Sequence, residues 1–161
     1  MAMFLQYERF QTVSPAIRDL LLQADPEWSQ VMTYLPQSTG VALSWHHELV
    51  GVLVLTERPQ RVLEVTNLAV LPEKQRHGIG QAAIHFAQQW GSEHGQTTLR
   101  VATGSTSLGP LYLYQKCGLR IVAVEPDYFT QRYSLPIWEN GIQLRDRLVL
   151  TQALSPENQG S

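Results

Sequence analysis

Cysteine is almost missing from this chain: Cys117 stands alone among 161 residues. A single cysteine excludes an intramolecular disulfide and any cysteine-rich zinc site. A basic excess is missing too. The 12 lysines and arginines face 14 acids, for a net charge of −2, and non-specific nucleic-acid binding calls for a basic patch. No apolar run approaches the ~18 residues of a membrane span, and no charged N-terminal segment leads into a long apolar one. His46, His47, His77, His85 and His94 lack carboxylate or cysteine companions at ligand spacing, so no metal site is expected. These absences point to a cytoplasmic protein that engages neither nucleic acid nor membrane. The rest is ordinary globular material, 43% hydrophobic and 16% charged. A chain of this length buries roughly 70% of the surface it exposes when unfolded, enough for one domain's core.

Glycine is concentrated where it says most. Gln75-Arg76-His77-Gly78-Ile79-Gly80 lies between an apolar strand, 62–71, and an amphipathic helix carrying Ile79, Ala83, Phe86, Ala87 and Trp90. Two glycines in a loop that opens a helix let backbone N–H groups converge on one point. Those free N–H groups and the positive end of the helix dipole suit phosphate oxygens. A plainer reading is that the glycines only let helix and strand approach closely. Gly78-Ile79-Gly80-Gln81-Ala82-Ala83 also fits a dinucleotide fingerprint. That motif needs its first glycine straight after the strand and an acid about 20 residues on. Here 72–77 intervene, and the later position falls in Thr98-Leu99-Arg100-Val101, which has no acid.

Along the chain, 3–10 reads as a first strand, and Ser14-Pro15 as a helix cap and first turn. Asp25-Pro26 starts a second helix that Pro36 ends. Runs 41–45 and 49–56 form a hairpin about His46-His47-Glu48, and 57–61 turns into the fourth strand. Gly95 stops the amphipathic helix. A strand over 97–102, a small-residue loop over 104–109, a short helix over 111–117 and strands over 119–124 and 144–150 follow. The last two strands could pair. One domain over 1–151 is expected, with a frayed tail over 152–161. Segment 125–143 is longer than a hairpin needs, which is usual for functional loops. Its aromatics suit a local mini-core or a substrate wall.

The order strand, Q-x-x-G-x-G loop, helix resembles the acyl-CoA-binding motif of the GNAT superfamily of N-acyltransferases. Downstream, Leu113-Tyr114-Gln115-Lys116-Cys117-Gly118-Leu119 matches that superfamily's L-Y-x-K-x-G-F pattern, with Leu119 in place of phenylalanine. The two motifs stand in the family's order and spacing. Asp127-Tyr128-Phe129, Pro136-Ile137-Trp138 and Glu139-Asn140-Gly141 look like those of a subgroup of bacterial acetyltransferases. The resemblance implies a mixed α/β, GNAT-like fold: a mostly antiparallel twisted sheet of six to seven strands with about four flanking helices. It implies transfer of an acetyl group from acetyl-CoA to a primary amine, on a small molecule or peptide, by direct attack in a ternary complex. A homodimer is also in keeping with it. The alternative is a catalytically silent acetyl-CoA sensor.

The resemblance assigns parts residue by residue. The pyrophosphate goes to the loop Gln75, Arg76, His77, Gly78, Ile79 and Gly80, with Arg76 adding charge. The pantetheine arm goes to the backbone of Leu68, Ala69 and Val70, which also polarises the thioester carbonyl. Ser107 stands where many members have an asparagine near the pantetheine, and a serine there serves the cofactor or caps the helix. Tyr114 matches the tyrosine that protonates the leaving thiolate, or else it is a buried structural tyrosine. An alkyl-ammonium with pKa near 10 is only about 0.1% neutral at pH 7, a deficit on the order of 4 kcal/mol. Glu64 lies where several members carry a general base, and a solvent-facing or salt-bridged glutamate is the plainer alternative. Glu125, Asp127 and Glu139 suggest a cationic acceptor. Cys117 reads as a small buried residue rather than a nucleophile.

Overall fold

A computed structural model describes residues 4–155. Residue 3 of the expected first strand and residues 156–161 of the expected tail lie outside that range. Strand β1 (Gln6–Phe10) leads into helix α1 (Pro15–Ala24). Ser14 caps that helix by accepting the Ile17 N–H at 3.2 Å, as its sequence signal predicts. Ile17, Leu20 and Leu21 recur at helical spacing and are buried against the sheet. Burying each leucine fully is worth roughly 1.5–3 kcal/mol, so this stripe clamps α1, and the Asp25 at its end, in place.

The second helix is shorter than its sequence suggests. Asp25 does not start it but closes α1, its N–H donating to Leu21 O. Helix α2 covers only Trp28–Val31, and Leu35–Gln37 is a separate 3₁₀ turn. The Thr33 hydroxyl donates to Gln30 O at 2.6 Å, competing with the helical ladder, and Pro36 has no N–H with which to continue that ladder.

Strands β2 (Thr39–Trp45) and β3 (Glu48–Arg58) form the expected hairpin. His46 and His47 both take positive φ, 52° and 66°, as a two-residue turn of this type demands. After β4 (Val62–Val70) comes helix α3 (Ile79–Glu93), then β5 (Thr98–Gly104), α4 (Leu108–Lys116) and β6 (Arg120–Glu125). Segment 125–143, read as a plain loop, holds helix α5 (Tyr128–Arg132) and a hairpin of β7 (Trp138–Glu139) and β8 (Ile142–Gln143). Asn140-Gly141 turns that hairpin with φ of 53° and 75°, a standard signal for such turns.

The last strand, β9 (Arg147–Ala153), starts later than expected and runs into the supposed frayed tail. It pairs with β6, as its sequence suggests, and also with β5. Beyond it the Leu154 N–H donates to Thr97 O at 2.8 Å, and the Leu154 side chain is 9% exposed. Gly91 makes the room, since a Cβ there would lie 2.7 Å from Leu154 Cδ1. Residues 152–154 therefore belong to the fold.

The main sheet runs β1-β2-β3-β4-β5-β9-β6. All neighbours are antiparallel except β4 and β5. Helices α3 and α4 cover one face around Leu53, Leu63, Val101 and Tyr114; α1 and α2 cover the other around Val52, Val54 and Ala69. Among the described residues no helix is long and apolar enough to cross a membrane.

Candidate active site

The site begins with a defect in the sheet. β3 and β4 pair as Val54↔Asn67 and then Leu55↔Val65, so Thr66 is an extra residue, a bulge that bends β4. Parallel pairing of β4 with β5 stops at Val65↔Val101, although β4 continues to Val70 and β5 to Gly104. From Thr66 to Val70 the β4 edge facing β5 has no strand partner. Leu68, Ala69 and Val70 line the gap. Unpaired strand backbone needs hydrogen-bonding partners, and a ligand with amide groups supplies them.

The gap leads to the glycine loop. Gln75 Nε2 donates to Val70 O at 3.2 Å and ties the loop to the strand. Gly78 takes φ 81° and no side chain caps α3. A Cβ on Gly78 would meet nothing within 4 Å, so the left-handed backbone, not crowding, calls for glycine there. At Gly80 a Cβ would come within 3.0 Å of Leu113 Cδ2, so glycine lets α3 and α4 touch. The first intrahelical bond is Ala82 N–H to Gly78 O, 3.0 Å, which leaves the N–H groups of Ile79, Gly80 and Gln81 to the site. No acid lies in that first turn. The dipole of a 15-residue helix thus ends on open donors.

A cavity of about 1400 Å³ runs past both features, above the usual ~300–1,000 Å³ of a single small-molecule pocket. It brings together Glu64, Leu68, Ala69, Val70, Gln75, Arg76, Gly78, Ile79, Gly80, Ser107 and Tyr114. His77 is the exception: it does not line the cavity, and its ring lies 5.6 Å from that of Trp45. Lys74 and Lys116 do line it and went unread in the sequence as phosphate partners. Only the fold brings these two cations to the same cavity.

Tyr114 is 6% exposed. Its hydroxyl makes no hydrogen bond to the described residues. Burial, with a smaller contribution from Cys117, raises its pKa to about 12, so the phenol keeps its proton across the physiological range. Ser107 precedes α4 without capping it and donates to Glu139 Oε2 at 2.8 Å. Cys117 stays outside the cavity, and burial pushes its thiol up.

Glu64 is 8% exposed. Arg100 Nε meets its Oε1 at 2.9 Å and Arg58 Nη2 approaches Oε2 at 3.5 Å. These two ion pairs account for a carboxylate inside an apolar strand, and the looser one leaves acceptor capacity on Oε2. The three acids read as acceptor-facing have partners of their own. Glu125 is ion-paired with Arg147 at 2.7 Å, and Glu139 accepts from Ser107. Asp127 Oδ1 accepts from the Thr130 hydroxyl at 3.4 Å, and Asp127 opens α5 with φ 57°. A different carboxylate, Asp25, lines the far side of the cavity with Tyr34, Tyr133 and Asn67. Tyr128 and Phe129 stack edge to face at 5.1 Å and also line it, so these aromatics are both a local cluster and a wall.

Comparison with known proteins agrees with this geometry. The model of the acetyltransferase (GNAT) family matches residues 7–119. The chain is 36% identical over 146 residues to the uncharacterized N-acetyltransferase YvbK of Bacillus subtilis, covering 91% of this chain and 94% of that one. The structure of an IAA acetyltransferase from Bacillus cereus superposes with TM-score 0.88 at 36% identity, over 94% of this chain and 100% of that one. A GNAT family acetyltransferase from Elizabethkingia anophelis, solved with acetyl-CoA bound, gives TM-score 0.88 at 33% identity, over 93% and 98%. The chain belongs to the GNAT family and is an acetyl-CoA-dependent N-acetyltransferase.

Proposed function

We propose that the enzyme moves the acetyl group to a primary amine of a small molecule or peptide by direct attack, with both substrates bound at once. The observation that carries this reading is one continuous cavity reaching from the open β4 edge and glycine loop to the Asp25 side of the sheet. There is room for cofactor and acceptor side by side. In this reading the pyrophosphate lies on the Gly78–Gly80 backbone beside Arg76, Lys74 and Lys116, and pantetheine pairs with Leu68 to Val70. The amine nitrogen attacks the thioester carbon, and the C–S bond breaks as the tetrahedral intermediate collapses. Tyr114 Oη gives its proton to the departing sulfur. Glu64 Oε2 takes the proton from the amine, directly or through water, while the two arginines keep the carboxylate oriented.

A cysteine acyl-enzyme route is disfavoured, since Cys117 lies off the cavity with its thiol pushed up. Initial-rate kinetics test this directly. Intersecting double-reciprocal lines are expected, and parallel lines would establish a ping-pong route instead. We place the enzyme in the cytoplasm, where acetyl-CoA is available. We also infer a homodimer built on β6, an edge strand whose Ile121, Val122 and Val124 are exposed. A monomer mass by light scattering would refute that assembly.

A further inference from the structure

The acceptor end of the cavity contains a side-chain cluster that the acetyl-transfer chemistry does not use. Asp25 accepts a hydrogen bond from Tyr133 Oη at 2.7 Å and another from Tyr34 Oη at 3.2 Å. Tyr34 Oη accepts in turn from Asn67 Nδ2 at 3.0 Å. Asn67 is 3% exposed, and its Nδ2 also donates to Leu21 O at 3.0 Å. That second bond fixes the amide, because a flip would set its oxygen against a carbonyl. The outcome is an orphan: Asn67 Oδ1 is buried without a partner.

The chemistry of the cluster is one-sided. Both tyrosine protons are committed to Asp25, so what remains unspent is acceptor capacity, on the carboxylate and on Asn67 Oδ1. The ion pairs among the described residues join Arg58 and Arg100 to Glu64, and Arg147 to Glu125; none reaches Asp25. Arg132 and Arg147 instead lie over the Tyr128 ring at 4.2 and 3.6 Å. Asp25 also ends α1, where the helix dipole adds negative potential. Burial pushes its carboxyl up, the mark of a charge with no counter-charge. A half-buried carboxylate that no ion pair among the described residues compensates is costly to keep, and a cation bearing several N–H donors relieves it.

We propose that Asp25, Tyr34, Tyr133 and Asn67 form the subsite for a second cationic nitrogen of the acceptor, which makes the acceptor a diamine or other dicationic amine. The inference rests on acetyl transfer to an amine as read above. The nitrogen held here is not the attacking one. A carboxylate stabilises the ammonium form, and the attacking nitrogen has to lose its proton. The aromatic walls Tyr34 and Tyr133 suit the same charge.

Binding calorimetry on the coenzyme A complex tests this without turnover, so a failure of acetyl transfer is seen separately, as missing thiol release. The probes are putrescine beside butylamine, and lysine amide beside norleucine amide. In at least one pair the dication binds about tenfold or more tighter than its monoamine, the range of a charged hydrogen bond. Asp25→Asn brings that ratio close to one while acetyl-CoA affinity stays within about twofold. Tyr133→Phe keeps the ring and lowers the ratio by a smaller factor. Equal binding within both pairs overturns the proposal, and so does a dication preference that survives Asp25→Asn. If that variant fails to bind acetyl-CoA, an unchanged ratio in Tyr133→Phe overturns it instead.

Discussion

The two ends of the cavity are built on opposite principles. The end we assign to the cofactor is made of backbone: an unpaired strand edge from Thr66 to Val70, a turn at Gly78 and the bare first turn of α3. The acceptor end is made of side chains, and its hydrogen bonds join residues as distant as Asp25 and Tyr133, 108 positions apart. A backbone site needs particular φ angles and missing side chains, which a few adjacent glycines supply. A side-chain site needs the whole fold before its atoms meet. One end therefore suits a ligand shared by many enzymes, and the other can change partner without disturbing it.

The sharpest way to break this comparison is to put a side chain into the backbone end. Gly78→Asp meets no steric obstacle, and aspartate tolerates positive φ better than most residues. The fold should survive while a carboxylate enters the phosphate cradle. Acetyl-CoA affinity is expected to fall at least about 1000-fold by calorimetry, with circular dichroism unchanged. Unchanged affinity in a folded variant would move the pyrophosphate elsewhere.

Tyr114 reaches the cofactor end from α4 and tests whether that end holds catalytic side chains as well as backbone. Tyr114→Phe should lower turnover about 10- to 1000-fold, with acetyl-CoA affinity within a few-fold, because only thiolate protonation is lost. Equal turnover would make the tyrosine a packing residue and leave protonation to water.

Legibility in the sequence follows the same divide. The glycine loop, the strand order up to β5 and the Ser14 cap all rest on neighbours in sequence, and the structure has them where expected; the Tyr114 helix is there too, but it starts at Leu108, inside the expected loop, rather than at 111. What the sequence hid was set by distance. Leu154 is held by space that Gly91 leaves, and Asp25 looked like a helix start because Tyr34 and Tyr133 were not visible beside it. Segment 125–143 is a partial exception. Its Asn140-Gly141 hairpin was readable from two residues, whereas α5 is short and held by contacts such as Phe129 N–H to Arg145 O. His77 failed in another way: a loop position says where a backbone runs, not which way a ring turns.

Glu64 stands between the two ends, on β4 just before the bulge. If it takes the amine's proton, Glu64→Gln moves the acidic limb of the pH–rate profile up from the Glu64 titration to that of the amine, since the amide cannot accept a proton. Activity near neutrality should fall about tenfold and recover as pH rises toward the amine pKa. The Arg58 contact at 3.5 Å and Arg100 contact at 2.9 Å offer the competing account of a purely structural pair. An unchanged profile with a lowered unfolding midpoint would select that account.

The smallest effect expected concerns the acceptor end with nothing bound. Burial raises the Asp25 carboxyl above its ordinary 3.8, against smaller opposing contributions from the Tyr133 and Tyr34 hydroxyls and the Glu27 backbone. The folded protein therefore holds this proton more tightly than the unfolded chain does. Below the unfolded value both states are protonated and the contribution of Asp25 to stability is fully present. As pH rises through the raised folded value it is lost, and above that it stays lost. Urea unfolding of wild type and Asp25→Asn in parallel, from about pH 3 to about pH 7, isolates the term because other carboxylates cancel in the difference. The wild-type advantage should shrink with rising pH and then level off, and saturating putrescine should restore part of it. An advantage that grows with pH would mean the anion already has its counter-charge within the fold. The acceptor end would then be as self-sufficient as the cofactor end is open, and the contrast between them would reverse.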